Sequence, residues 1–91
     1  MSDKVDTEAL FAFPCEFPIK VMGRQQPGFA RTMVALVREH CPDFDESSLR
    51  TRLSRENTYL SLTFTVRAKS REHLDDLYRV LCDHPMVSMV L

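Results

Sequence analysis

The stretch from Tyr59 to Ala68 is the clearest strand in the chain and the feature that most limits what it can fold into. Leu60, Leu62, Phe64, Val66 and Ala68 share one parity, and Tyr59, Ser61, Thr63, Thr65 and Arg67 share the other. That period of two describes a strand with one face in a core and the other toward water or a partner. The chain therefore has to supply further strands beside it and a layer over one face only.

Phe17 to His40 supplies the first of each. Phe17-Pro18-Ile19-Lys20-Val21-Met22-Gly23 alternates as a half-buried strand, and Gly23-Arg24-Gln25-Gln26-Pro27-Gly28 breaks the pattern. From Phe29 the spacing becomes helical, with Phe29, Met33, Leu36, Val37 and His40 on one face. Pro27 suits a helix start because its φ is preset and its missing N–H would be unpaired there anyway. The helix is expected to end at Cys41, ahead of Pro42.

Further along, Ser48 to Ser54 sets Leu49, Thr51 and Leu53 against Arg50 and Arg52, a short strand with one basic face. Turn residues Ser54 to Thr58 lead from it into the long strand. Ser70 can cap a second helix, with Glu72 near the positive end of its dipole and Leu74, Leu77, Tyr78 and Leu81 as its buried stripe. Met86 to Leu91 closes the chain, interrupted only by Ser88. The order is βαββαβ. Two right-handed crossovers put both helices on one face of a four-stranded antiparallel sheet in the order 4-1-3-2, a ferredoxin-like α+β fold.

Ninety-one residues suit one domain, taken as residues 13–91 behind a polar arm of residues 1–12 whose Leu10 and Phe11, with Phe13, should fold back on it. A net charge of −1 argues against a dedicated nucleic-acid binder while leaving room for a local basic face. No apolar run reaches the roughly 20 residues of a membrane span, and Met1 to Asp6 is polar with no apolar signal region after it. A cytoplasmic protein is expected. Cys15, Cys41 and Cys82 are odd in number and widely spaced, which points to buried thiols behaving as small apolar residues.

Candidate chemistry is sparse. His40-Cys41 and Cys82-x-His84 carry ligand types that zinc prefers, but their spacing does not make four donors converge, so helix-end roles explain them better. A Cys–His nucleophile lacks a motif that would place an acid or amide behind it. Glu72, Asp75, Asp76, Arg71 and Arg79 read as a solvated helix face, and Gly23 with Gly28 falls short of a nucleotide loop. No catalytic residue, metal or cofactor is expected. By strand parity, Lys20, Arg50, Arg52 and Arg67 all point to the open side of the sheet. That face is either simply solvated, covered by another protein or subunit, or, in a minority reading, an RNA or phosphate platform. RNA stacking would need aromatics on the two central strands, where Lys20, Met22, Ser61, Thr63 and Thr65 stand with Tyr59 at one end.

Several of these stretches together resemble a known family. Phe13-Pro14-x-x-Phe17-x-x-Lys20-Val21-Met22-Gly23, the Asn57-Thr58-Tyr59 approach to the long strand, Leu77-Tyr78, and Val87-x-Met89-Val90-Leu91 are similar to the small bacterial YbeD-like proteins. The resemblance runs from about Phe13 to Leu91. It implies a fold like that of ACT domains, regulatory modules that bind small effectors such as amino acids. Gln25-Gln26-Pro27-Gly28-Phe29 looks like the turn at which ACT domains begin their first helix, which makes Gly23, Arg24, Gln25, Gln26, Pro27 and Gly28 a candidate ligand site. Glycine there permits close backbone approach, and the free amides of a helix start favour a carboxylate. Gln25 stands where ACT domains usually carry an acid that could pair with an amino group, and helix-start chemistry alone also explains the turn.

Three functions from different classes follow. The favoured one is a non-catalytic regulatory or interaction module, binding a small effector or a partner protein and self-associating through Met86 to Leu91. The others are an RNA- or phosphate-binding module on the basic sheet face and a small enzyme using Cys or His.

Overall fold

Strands β1 (Cys15–Arg24) and β3 (Tyr59–Ala68) pair antiparallel over their whole length, from Cys15 opposite Ala68 to Arg24 opposite Tyr59. The structure, a computed structural model, describes residues 13–91. The expected arm of residues 1–12, Leu10 and Phe11 included, lies outside the described residues. Directly opposed residues share a face, so Ile19 and Phe64 point one way with Val21 and Leu62, and all four have no exposed surface. Lys20 with Thr63 and Met22 with Ser61 point the other way.

Strand β2 (Arg50–Leu53) pairs with the free side of β3, and β4 (Val87–Val90) pairs with the free side of β1. The sheet order β2-β3-β1-β4 is the expected 4-1-3-2 read from the opposite edge. Pro18 sits inside β1 without breaking the sheet. Lys20 exchanges both backbone hydrogen bonds with Leu91, so Pro18, of the same parity, turns its missing N–H to the side beyond Leu91.

Helices α1 (Phe29–His40) and α2 (Arg71–Asp83) cover one face of the sheet and fill the core with Phe29, Met33 and Val37 from the first and Leu74, Leu77 and Leu81 from the second. On α1 the buried stripe is rotated slightly from the expected one. Val34 is buried, Leu36 is only partly so, and His40 sits half-exposed at the helix end. Gly28 occupies the N-cap position at φ +83°, a left-handed conformation that glycine adopts without strain. On α2 the Ser70 hydroxyl accepts the His73 N–H at 3.1 Å, the cap its position predicts.

Three expectations need correction. β1 begins two residues earlier and ends one later than the Phe17 to Gly23 alternation, which brings Arg24 onto the open face. β2 is shorter than Ser48 to Ser54, because Ser48 belongs to a 3-10 turn, Glu46–Ser48. The Asp45 side chain caps that turn, accepting from the Ser47 N–H and hydroxyl at 3.0 and 2.7 Å. Only Cys41 is a buried thiol; Cys15 is half-buried and Cys82 exposed, since their positions fall at the start of β1 and on the outer side of α2. Among the described residues no helix is long and apolar enough to cross a membrane.

One-sided burial sets the energetics. Phe64→Ala should lose about 3 to 5 kcal/mol through the cavity it opens, whereas Thr63→Ala, on the opposite face, should lose less than about 1 kcal/mol. Urea unfolding of the two variants reads the difference, and similar losses would contradict the one-sided sheet.

Candidate functional site

The uncovered face of the sheet is a grid whose rows follow from strand register. One row runs Leu91, Lys20, Thr63, Arg50 across the strands, and the next runs Met89, Met22, Ser61, Arg52. Adjacent strands lie about 4.8 Å apart, so Lys20 and Arg50 flank Thr63 at a backbone separation of about 10 Å. Arg24 opposes Tyr59 at one end of the grid, and Glu16 opposes Arg67 at the other. Lys20, Arg50 and Arg52 are thus brought together as expected. Arg67 lies two rows from Lys20, about 13 Å along the strand, with Glu16 beside it. Arg24 was missed as a member of this face because its strand parity is legible only once β1 is seen to continue past Gly23.

All five cations are exposed, and none forms an ion pair with a described residue; the ion pairs among the described residues join Arg38 to Glu46 and Arg79 to Asp76. Two clefts open on this side. The smaller, about 240 Å³, lies among Lys20, Met22, Arg52, Leu53, Tyr59 and Ser61. The larger, about 760 Å³, is a polar trough at the far end of the sheet, where Arg50 and Arg67 meet Glu16, Asp43, Asp45 and Ser47. Its charges are of both signs. The Ser47 hydroxyl and N–H hold the Asp45 carboxyl below the usual carboxylate range, so that group is already committed within its own turn.

The Gly23 to Gly28 turn has mostly structural duties. A Cβ at Gly23 would collide with the Met86 carbonyl oxygen and lie 2.7 Å from Phe29 Cζ, so glycine there admits the Phe29 ring to the core. The Gln25 N–H donates to the Thr58 carbonyl at 2.8 Å, tying the turn to the β2–β3 hairpin. Arg24, Gln25, Gln26, Pro27 and Gly28 are exposed, and neither cleft described above is lined by them. Among the described residues no side chain caps the start of α1; the Phe29 N–H donates to the Gln26 carbonyl at 3.2 Å, and the next amides of that turn have no intrahelical carbonyl ahead of them to bond.

Cys41 and His73 come together, an association that spacing alone does not reveal. Cys41 Sγ lies 3.6 Å from His73 Nε2. His73 Nδ1 accepts the Lys69 N–H at 3.0 Å, which assigns the ring proton to Nε2, and Nε2 donates it to the His40 carbonyl at 2.6 Å. Both nitrogens are therefore occupied, and the ring has no lone pair with which to take the thiol proton. Burial pushes the Cys41 thiol up from its ordinary value of 9.0, with Asp43 acting in the same direction and Lys69 against them. The result is an interhelical clasp: His73 satisfies a carbonyl at the C-terminal end of α1. Cys82 and His84 sit at the other end of α2, and Cys82 is about 14 Å along the helix from His73. His84 Nδ1 accepts the Met86 N–H at 3.1 Å. Among the described residues no group of three or more His, Cys, Asp or Glu is placed to hold a metal ion.

Comparisons with known proteins place this arrangement. The family model described as Protein of unknown function (DUF493) matches residues 8–91. Similar relatives include a UPF0250 protein of Nitrosomonas europaea, 51% identical over 84 residues that cover 92% of this chain and 97% of that protein. A UPF0250 protein of Bordetella pertussis is 56% identical over 84 residues, 92% of each chain. A UPF0250 protein of Janthinobacterium is 50% identical over 91 residues, with both chains covered completely. Among solved structures, the ACT domain from GTP pyrophosphokinase of Chlorobium tepidum superposes with a TM-score of 0.58 at 18% identity, covering 85% of this chain and 97% of that one. That likeness concerns the fold.

The Cys41–His73 geometry makes a chemical prediction. In the folded protein at neutral pH, iodoacetamide should modify Cys82 and leave Cys41 untouched until the chain unfolds, with or without a His73→Gln substitution; peptide mass spectrometry reads it. The folded chain also holds the Cys41 proton more tightly than the unfolded chain does. Its stabilising effect is complete below pH 9.0 and is lost as pH rises above that value, so Cys41→Ala should flatten the alkaline fall in the urea midpoint. Fast native labelling of Cys41 that depends on His73 would show a reactive pair instead.

Proposed function

This chain belongs to the family described as Protein of unknown function (DUF493), and from that premise we propose that it is a non-catalytic regulatory or interaction module whose working surface is the open sheet face. The observation that carries this reading is the set of Lys20, Arg50 and Arg52, exposed together beside hydroxyls and free of ion pairs with described residues. Cations left unneutralised on a rigid sheet create a local potential that steers an anionic partner toward it, even though the whole chain is close to neutral. The regulatory part of the reading draws on the fold shared with an ACT domain. The Cys41 and His73 contacts support a role without covalent chemistry, because the one histidine against a thiol is fully engaged by the backbone. The free thiols at Cys15, Cys41 and Cys82 suit a reducing cytoplasm.

A second reading places a small anionic effector at the uncapped start of α1, beside Gly28. The two are separable. Recovery of partners from a native extract on immobilised protein should fall by at least about tenfold for the Lys20→Glu, Arg50→Glu, Arg52→Glu variant. Arg67→Glu should lose less, since it lies apart from them. A triple variant that folds normally by circular dichroism and still recovers every wild-type partner would refute the sheet-face reading.

Self-association belongs to the same proposal. Val87–Val90 lies at a sheet edge, and Met89 and Leu91 are 50% and 60% exposed beside it. An outer strand with no further partner strand among the described residues, next to apolar side chains, favours addition of a second β4 from another copy. Sedimentation over a concentration series should show dimers that Met89→Lys weakens. A monomer at every concentration would remove the dimer from the proposal.

A further inference from the structure

The open face is chemically divided in a way that narrows what can occupy it. Lys20, Arg24, Arg50, Arg52 and Arg67 account for five of the chain's twelve Lys and Arg residues, while among the described residues Glu16 is the one acid carried by the strands of that face, with Asp43 and Asp45 at its far end beside Arg50 and Arg67. The described residues other than those five cations and Glu16 carry nine Asp and Glu against six Lys and Arg, so their surface is acidic on balance. A long polyanion laid across the molecule would meet that acidic remainder, whereas a short anionic segment confined to the grid would not, because screening limits each charge to about 8 Å at physiological salt.

The same face is also partly apolar. Met22 opposes Met89 across the β1–β4 pair, and Leu91 continues the strip beside Lys20. The smaller cleft lies between Met22 and the 41%-exposed Tyr59, with Lys20 and Arg52 at its margins. Nucleic-acid platforms place aromatic rings in the middle of the sheet for bases to stack on. Here the middle positions are Lys20, Met22, Ser61 and Thr63, and Tyr59 stands at the end of β3. An apolar hollow ringed by guanidinium and ammonium groups instead matches a peptide with one buried apolar anchor among carboxylates.

We propose that the open face binds a short acidic segment of a partner protein, its carboxylates over Lys20, Arg50 and Arg52 and one apolar side chain in the cleft between Met22 and Tyr59. The proposal rests on the sheet face being the working surface and adds the chemistry of what it takes.

The test is an NMR titration of the full chain with four probes. They are a capped peptide of glutamates around one central leucine, the same peptide with that leucine replaced by alanine, the same peptide with its glutamates replaced by glutamines, and a single-stranded oligouridylate. The leucine–glutamate peptide should shift the amides of Lys20, Met22, Arg52, Tyr59 and Ser61, and its affinity should fall as salt rises. Replacing the leucine or the glutamates should each weaken binding by about tenfold, as should Arg52→Glu or the milder Lys20→Gln in the protein. Indifference to the leucine, shifts confined to another surface, no shifts at all, or tighter binding of the oligouridylate to the same amides would each overturn the proposal. If native partners are lost on charge reversal while the peptides leave the face unperturbed, the partner chemistry is wrong and the working surface stands. If native partners survive charge reversal, the working surface itself is wrong.

Discussion

The continuous pairing of Cys15–Arg24 with Tyr59–Ala68 is the constraint on which everything else in the fold depends. Its register sets Ile19 against Phe64 and Val21 against Leu62, and these residues lie wholly inside the molecule. A slip of β3 by one residue against β1 would turn Thr63 and Arg67 toward the helices and Phe64 toward water, so the apolar face helps to hold the register that the hydrogen bonds describe. Both helices must then lie on the same side. The outer strands follow from the central pair, with β2 held to β3 through a hairpin in which Asn57 takes a positive φ and the Ser54 hydroxyl accepts from Thr58 N and Tyr59 N.

The two ends of the helical layer are closed by different devices. At one end Gly23 leaves room for the Phe29 ring and the Met86 carbonyl, so that the start of α1 and the approach to β4 meet over the end of β1. At the other, His73 reaches from the first turn of α2 to the last carbonyl of α1 while its second nitrogen holds the Lys69 N–H. Together they explain why the residues most suggestive of chemistry, a Pro-Gly turn and a Cys–His contact, are occupied with holding the fold. Phe44, its ring tilted 54° to that of Phe64 at a centroid distance of 5.3 Å, anchors to the core the acidic stretch Pro42 to Ser47 that joins α1 to β2.

What the core does not use is left on one surface. The near-neutral total charge conceals a strong asymmetry, because strand parity gathers cations on the open side and the helices and loops carry most of the acids. Among the described residues the charged side chains of that open side are all exposed, so they carry no burial penalty. The face is built on paired strands, which fix the spacing of the backbone positions that carry the cations and line the hollow beside Tyr59.

The order βαββαβ, the sheet order, the cap at Ser70 and the direction of Lys20, Arg50, Arg52 and Arg67 follow from the sequence by itself, because alternation and helical spacing are local properties that burial on one face imposes directly. The family resemblance carried by the Phe13 to Gly23 and Val87 to Leu91 motifs is borne out in the same way. Tertiary structure alone decided the rest. Cys41 and His73 lie 32 positions apart, and no periodicity links a helix end to the first turn of another helix. Arg24 joins the open face only because β3 continues opposite it as far as Tyr59. The hollow between Met22 and Tyr59 exists because three strands bring Met22, Tyr59 and Arg52 side by side, and a separation set by lateral strand pairing is invisible to any pattern read along a single strand.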